Sequence, residues 1–265
     1  MKRTILFSIL VIVTSMILFS CSEEDNEPLT VDFETEVTGN APNAEVTFNN
    51  KSTGADSYEW TFGVGASNRA SLKKEPEAIT VDKAGELSVK LVVSNGSDEK
   101  VLTDTVNIEG NSAIVSYEDI EFGVEAGGDY GRFYSFKTEE IYKKSEMTTG
   151  GSKIDIAFEN MGGTMYYFNS PADDSYDFTN ATNTEIINYQ SEPSISVEQF
   201  DSMEDDELLE GLTIKDDDDS FGNSTIPHTV LFELSNGKAG VIKTKEVNSE
   251  RLLVDIKIQK YADKQ

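Results

Sequence analysis

The sequence predicts a mainly β protein: a small N-terminal β-sandwich, then a second β-rich domain with one or two short helices. Three observations predict it. Short runs rich in Val, Thr, Tyr and Phe alternate in polarity with period two. Clusters of Gly, Asn, Asp and Ser separate those runs as turns do. Helical spacing shows in one segment only, after Ser196. With 265 residues and 37% hydrophobic side chains, the chain has enough apolar material for real cores in one or two domains.

In chain order, Lys2 and Arg3 precede an apolar run from Ile5 to Phe19, which reads as a secretory leader over residues 1–20. Its 15 residues are short for a membrane span, which needs about 20. Leu18-Phe19-Ser20-Cys21 resembles a bacterial lipobox. That resemblance implies cleavage before Cys21 and acylation of Cys21 as a membrane anchor. No Cys follows Cys21, so it has no disulfide partner within the chain. Loss of Lys2 and Arg3 would move the net charge from −27 to −29. Ser22-Glu23-Glu24-Asp25-Asn26-Glu27 resembles the acidic export tag of outer-membrane lipoproteins that face outward, in a phylum that includes many gut glycan degraders. A solvated acidic linker reads the same way. Residues 21–30 are thus expected to be a lipidated Cys and a flexible acidic tether.

From Val31 the strand pattern begins, with runs at Glu45–Asn49, Ser57–Phe62, Ala78–Val81 and Leu87–Ser94. Alternation places Tyr58, Trp60 and Phe62 on one strand face, with Glu59 and Thr61 on the other, so Trp60 is expected in a packed interior. Val46-Thr47-Phe48-Asn49, Tyr58-Glu59-Trp60-Thr61-Phe62-Gly63 and Ala84-Gly85-Glu86-Leu87-Ser88-Val89-Lys90-Leu91-Val92-Val93-Ser94-Asn95 occur in order. Residues 31–110 on this evidence resemble the PKD domain. The resemblance implies a seven-stranded immunoglobulin-like sandwich that acts as a spacer. Val64 stands where that family usually carries an Asp after Phe-Gly, which removes any turn or cation contact made by that Asp.

Glu109-Gly110-Asn111-Ser112 reads as a linker, and residues 113–265 as the second domain. Strands are expected at Ile114–Phe122, Gly131–Phe136, Lys153–Phe158, Met165–Phe168, Thr184–Tyr189, Thr229–Leu234, Ala239–Thr244 and Leu252–Ile258. Asn236-Gly237 between two of them signals a hairpin turn. Leu252, Val254, Ile256 and Ile258 give the last strand one apolar face, and it is expected to close a sheet. Ser196 with Gln199 forms a capping-box signature, which predicts one or two short helices between Ser196 and Gly211. The stretch from Val230 to Lys260 is similar to the C-terminal end of uncharacterised secreted lipoproteins of the same phylum, a likeness that implies no activity.

The charge balance of 49 Asp and Glu against 22 Lys and Arg disfavours nucleic acid, whose phosphates are bound by clustered cations. His228 is the single imidazole and follows Ile226-Pro227 with no nucleophile motif near it, so it reads as structural or exposed. No catalytic residue and no metal ligand set is assigned, and no cofactor is expected. Paired carboxylates could serve glycoside hydrolysis at separations of about 5 to 9.5 Å, given one acid whose pKa burial raises. No acid shows such a setting, and Asp155, between Ile154 and Ile156, is expected to point outward. Glu198 to Asp219 holds eleven carboxylates against one Lys and ends in Asp216-Asp217-Asp218-Asp219. This is read as a solvated charge run, and any Ca²⁺ it held would be weakly bound and structural.

The candidate ligand contacts are Tyr166, Tyr167 and Tyr176, with Asp173 and Asp174 as polar partners, where aromatic faces and carboxylates come together beside loops. Packing of these rings in a core or under a loop is the competing reading. The chain is therefore expected to be a non-enzymatic lipoprotein, anchored by its lipid in the outer membrane and exposed at the cell surface, that binds a polysaccharide or a surface protein. A hydrolase domain on the same stalk, and a purely structural envelope lipoprotein, are the alternatives.

Overall fold

The computed structural model describes residues 27–125, 127–147 and 151–262. The leader and Cys21 lie outside the described residues, as does most of the tether. Among the described residues no helix is long and apolar enough to cross a membrane.

Seven strands build the N-terminal unit: β1 (Phe33–Thr38), β2 (Ala44–Asn50), β3 (Ser57–Phe62), β4 (Ala70–Ser71), β5 (Ile79–Val81), β6 (Gly85–Ser94) and β7 (Glu99–Ile108). They form two antiparallel sheets, ordered β1-β2-β5 and β4-β3-β6-β7. Alternation along β3 and β6 turns Trp60, Phe62, Leu87, Val89, Leu91 and Val93 into one core. Trp60 is 0% exposed, packed edge-on to Phe33 at 5.2 Å, and its indole N–H donates to the Lys73 carbonyl at 3.1 Å. The expected sandwich and buried Trp are therefore present. The expected tether ends earlier than residue 30, because Leu29 is a core residue at 7% exposure. Thr53 holds this segment: its N–H donates to the Thr30 hydroxyl, and its own hydroxyl donates to the Pro28 carbonyl. At Gly54 a Cβ would sit 2.1 Å from the Glu27 carbonyl oxygen, so the close approach needs glycine there.

The second unit contains β8 (Ile114–Gly123), β9 (Phe133–Ser135), β10 (Glu140–Tyr142), β11 (Ile156–Met161), β12 (Met165–Asn169) and β13 (Thr184–Ile187). Helix α1 (Val197–Ser202) follows, then β14 (Phe221–Gly222), β15 (His228–Leu234), β16 (Ala239–Val247) and β17 (Arg251–Gln259). The sheets run β10-β9-β11-β12-β14 and β13-β15-β16-β17-β8, with antiparallel pairing throughout. Phe122, Tyr134, Phe158, Phe168 and Phe232 fill the core between them together with the aliphatic face of β17. β17 does not close a sheet edge, since it pairs with β16 on one side and β8 on the other.

Each outer face is partly covered as well. Phe200, Met203, Leu209 and Ile214, from α1 and the chain after it, pack on Leu231 and Val241. Phe133 and Ala157 on the other sheet meet Ile154 and Tyr176. The capping box is formed, with the Gln199 amide donating to the Ser196 hydroxyl and the Ser196 amide donating to the Gln199 side chain. The hairpin turn is formed too: Gly237 has φ +80°, and its N–H donates to the Leu234 carbonyl at 2.8 Å.

The two units meet around Asp82. Its carboxylate accepts from Lys260 Nζ at 2.5 Å and from the Tyr261 hydroxyl at 2.6 Å, and its carbonyl accepts from the Ala113 N–H at 2.8 Å. Ser112, inside the linker, accepts from the Ala84 N–H and donates its own N–H to Asp206 at 2.6 Å. The connection is short and hydrogen-bonded along its length.

Candidate functional site

The site starts from the pleat of β12. Side chains alternate across a strand, so Tyr166 and Phe168 face the core and Tyr167 faces out. Tyr166 is 1% exposed, stacks at 6.0 Å on Phe158, and donates its hydroxyl hydrogen to the Gly163 carbonyl at 3.0 Å. It cannot meet a ligand. Tyr167 lies opposite Glu159 of β11 in register and is half-buried. Burial raises its phenol pKa, and the carboxylates of Glu159 and Asp173 raise it further, against a lowering by Arg132.

Tyr167 and Asp173 line one groove of about 350 Å³, together with Asn169, Asn188 and the carboxylates of Asp216 to Asp219. The Asp173 carboxylate accepts the Ser175 N–H at 2.9 Å, and its bonds to Ser175 hold its pKa below the usual range, so it is ionised. Asp174 is exposed and does not line this groove. Tyr176 is corrected outright. At 4% exposure it packs edge-on to Phe133 at 5.3 Å and stacks on Phe178 at 5.6 Å. The reason is that Tyr176 sits in the turn segment after β12, which folds back onto this outer sheet face and packs the ring against Phe133 and Ala157, so the competing packing reading holds for it. Of the five sequence candidates, the fold brings together Tyr167 and Asp173.

Asp216, Asp218 and Asp219 are exposed, as the solvated-charge reading expects, but two carboxylates of the run also bind backbone. Asp216 Oδ1 accepts the Ile186 N–H at 2.5 Å, and the Asp217 carboxylate accepts the Asn188 N–H at 3.0 Å and the Tyr189 N–H at 3.3 Å. The Asp217 N–H donates to the Ile186 carbonyl at 3.1 Å. These residues thus lie along β13, which is the edge strand of its sheet, and occupy hydrogen-bonding groups that a neighbouring strand would otherwise take. Asp216 has its pKa raised, first by burial and then by Glu185, Asp217 and Asp218, against a lowering by the Ile186 N–H. Asp155 is corrected as well: it is half-buried, it accepts the Phe136 N–H at 2.8 Å, and burial raises its carboxyl pKa.

Sequence reasoning missed Asn188. It is 3% exposed; its side chain accepts the Phe168 N–H at 2.6 Å and donates to the Phe168 carbonyl at 2.9 Å, so it joins β12 of one sheet to the end of β13 in the other. Its own carbonyl accepts from His228 Nε2 at 2.7 Å. A lone Asn after a strand carries no local signal of this role. His228 is buried between Tyr189 and Phe221, with ring centroids 5.5 Å from each, so the structural reading holds and the exposed one does not. Chemically, the groove offers one aromatic face, amide groups and several hydrogen-bond-accepting carboxylates.

Residues 30–108 match the family model described as PKD domain. The N-terminal sandwich is thus a PKD domain of immunoglobulin-like fold, within a mainly β chain. No curated protein matches the chain. Among solved structures, the chain is similar to a DUF4466 family protein from Parabacteroides merdae ATCC 43184, at 14% identity and a TM-score of 0.42, over 88% of this chain and 99% of that one.

Proposed function

We propose that this chain is a non-enzymatic lipoprotein of the outer membrane, anchored at Cys21 and exposed on the cell surface, whose PKD domain holds a glycan-binding module away from the membrane. The groove at Tyr167 carries this reading. A half-buried aromatic beside fixed carboxylates and amides suits a sugar, because the ring covers the apolar face and the acceptors take the hydroxyls. A surface protein is the other ligand class the groove could accept.

The test is retention of the full-length protein on neutral polysaccharide affinity gels. Tyr167→Ala and Asp173→Ala should each weaken retention by about tenfold, the equivalent of roughly 1.4 kcal/mol. Retention equal to wild type in both variants would remove the groove as the site. For the anchor, Cys21→Ala should abolish labelling by radioactive palmitate, and protease added to intact cells should cleave the wild-type protein.

One observation favours a hydrolase as the second reading. Asp216, with its pKa raised, and Asp173, with its pKa lowered, line the same groove, which is how an acid and a base divide their roles in glycoside cleavage. New reducing ends released from a retained polysaccharide, and lost in Asp216→Asn, would replace the binding reading with this one.

A further inference from the structure

A second cavity, of about 480 Å³, opens beside the groove. Glu159, the cross-strand partner of Tyr167, lines it. Its other charged walls are Arg132, Lys143, Lys144 and Glu125, and Tyr130 supplies an aromatic wall. In a chain with a net charge of −27, three cations around one cavity are a local reversal of sign. Their pairing differs. Arg132 is spent: Nη1 meets Glu159 Oε2 at 2.9 Å, Nε donates to the Gly123 carbonyl at 2.9 Å, and Nη2 donates to the Val124 carbonyl. Lys143 and Lys144 have no ion-paired carboxylate among the described residues. The nearby Glu146 carboxylate is taken by the Lys143 backbone N–H at 2.8 Å, while the Lys144 ammonium donates to the Ser175 carbonyl at 3.5 Å and sits 5.9 Å above the Tyr176 ring, neither of which neutralises its charge.

We propose that this cavity is a second carbohydrate subsite, which takes an acidic sugar residue with its carboxylate or sulfate on Lys143 and Lys144. A bare inorganic anion suits the cavity poorly, because Glu125 and Glu159 would oppose it and its volume exceeds what such an ion fills. A neutral sugar would leave both ammonium groups without an anion. An acidic sugar meets both conditions: its charge goes to the lysines, its hydroxyls donate to Glu125 and Glu159, and its apolar face lies against Tyr130. The cavity is within the size range of small-ligand sites. The inference rests on the reading of this domain as a glycan binder, but it uses neither Tyr167 nor Asp173.

The experiment uses the full chain, purified in detergent, on affinity gels containing polygalacturonate, a sulfated galactan, and neutral polysaccharides. Wild type should be retained by one or both acidic polymers, and added salt should weaken that retention. Lys143→Ala/Lys144→Ala should lose at least about tenfold in acidic retention and none in neutral retention, and Lys143→Arg/Lys144→Arg should keep most of both. The two acidic gels tell carboxylate from sulfate. The subsite is overturned if wild type ignores both acidic polymers, if the double Ala variant retains them as well as wild type, or if inorganic sulfate competes as strongly as the polymer does. Neutral retention that persists in wild type without acidic retention would overturn this subsite and leave the groove standing. Neutral retention unchanged by Tyr167→Ala, with acidic retention lost in the double Ala variant, would overturn the groove alone.

Discussion

His228 makes folding stability depend on acidity through burial. Its ring N–H donates to the Asn188 carbonyl, and its backbone N–H donates to the Thr244 hydroxyl at 2.9 Å. Burial pushes the imidazole pKa below 6.5, and the bond to Asn188 offsets this only in part, so the folded chain keeps the ring neutral. The sign follows from proton binding. Below about pH 6.5 the unfolded chain takes up a proton that the folded chain resists, so this residue's contribution is complete above that pH. It is lost as pH falls toward the depressed folded value, and levels off below it. His228→Gln keeps a donor for Asn188 without the titration. Urea melts at pH 7.5 and pH 5 should show wild type losing more stability than the variant. The carboxylates common to both proteins cancel in that difference. Equal losses would mean that the ring is solvated enough to charge in place.

At the scale of elements, the acidic run after Lys215 acts as a cover for the edge of β13. Asp217 accepts the N–H groups of Asn188 and Tyr189, and Asn188 is itself buried. Removing that carboxylate leaves donors without partners, at a cost of about 1–2 kcal/mol. Asp217→Ala should therefore lower the melting temperature by several degrees and speed hydrogen exchange at Asn188 and Tyr189. Unchanged exchange at both amides would show that the carboxylate is not their partner. This element also marks where the sequence stopped being readable. Strands whose alternation is local, such as Ser57–Phe62 and the β17 stretch, were legible, as were the Asn236-Gly237 turn and the Ser196 capping box. β10 and β14 have three and two residues, too few for a period to show. The cover on β13 joins positions about 30 residues apart through carboxylates, and composition says only that those residues are charged. Tyr176 failed for a related reason: it lies in the segment between β12 and β13, where no period applies, and the sequence does not say that this segment folds back onto the sheet.

At the scale of the whole molecule, the proposed spacer role would require the PKD domain to transmit orientation to the second unit. Asp82 bridges the junction, because one residue binds the backbone of Ala113, just after the linker, and the C-terminal side chains of Lys260 and Tyr261. The ion pair contributes little stability by itself, since exposed pairs are worth about 0–1 kcal/mol. Its effect is geometric, closing a second route between the domains beside the covalent one. Asp82→Ala should thus leave both cores folded, with a melting curve close to wild type, while freeing the angle between them. Spin labels placed on Glu59 and Glu246, both solvent-facing strand positions, report on it through their distance distribution. The distribution should be narrow in wild type and broad in Asp82→Ala, with Asp82→Asn intermediate because an amide can still accept from Tyr261. Equally narrow distributions in all three proteins would place the stiffness elsewhere, in the Ser112 bonds to Ala84 and Asp206 that flank the linker.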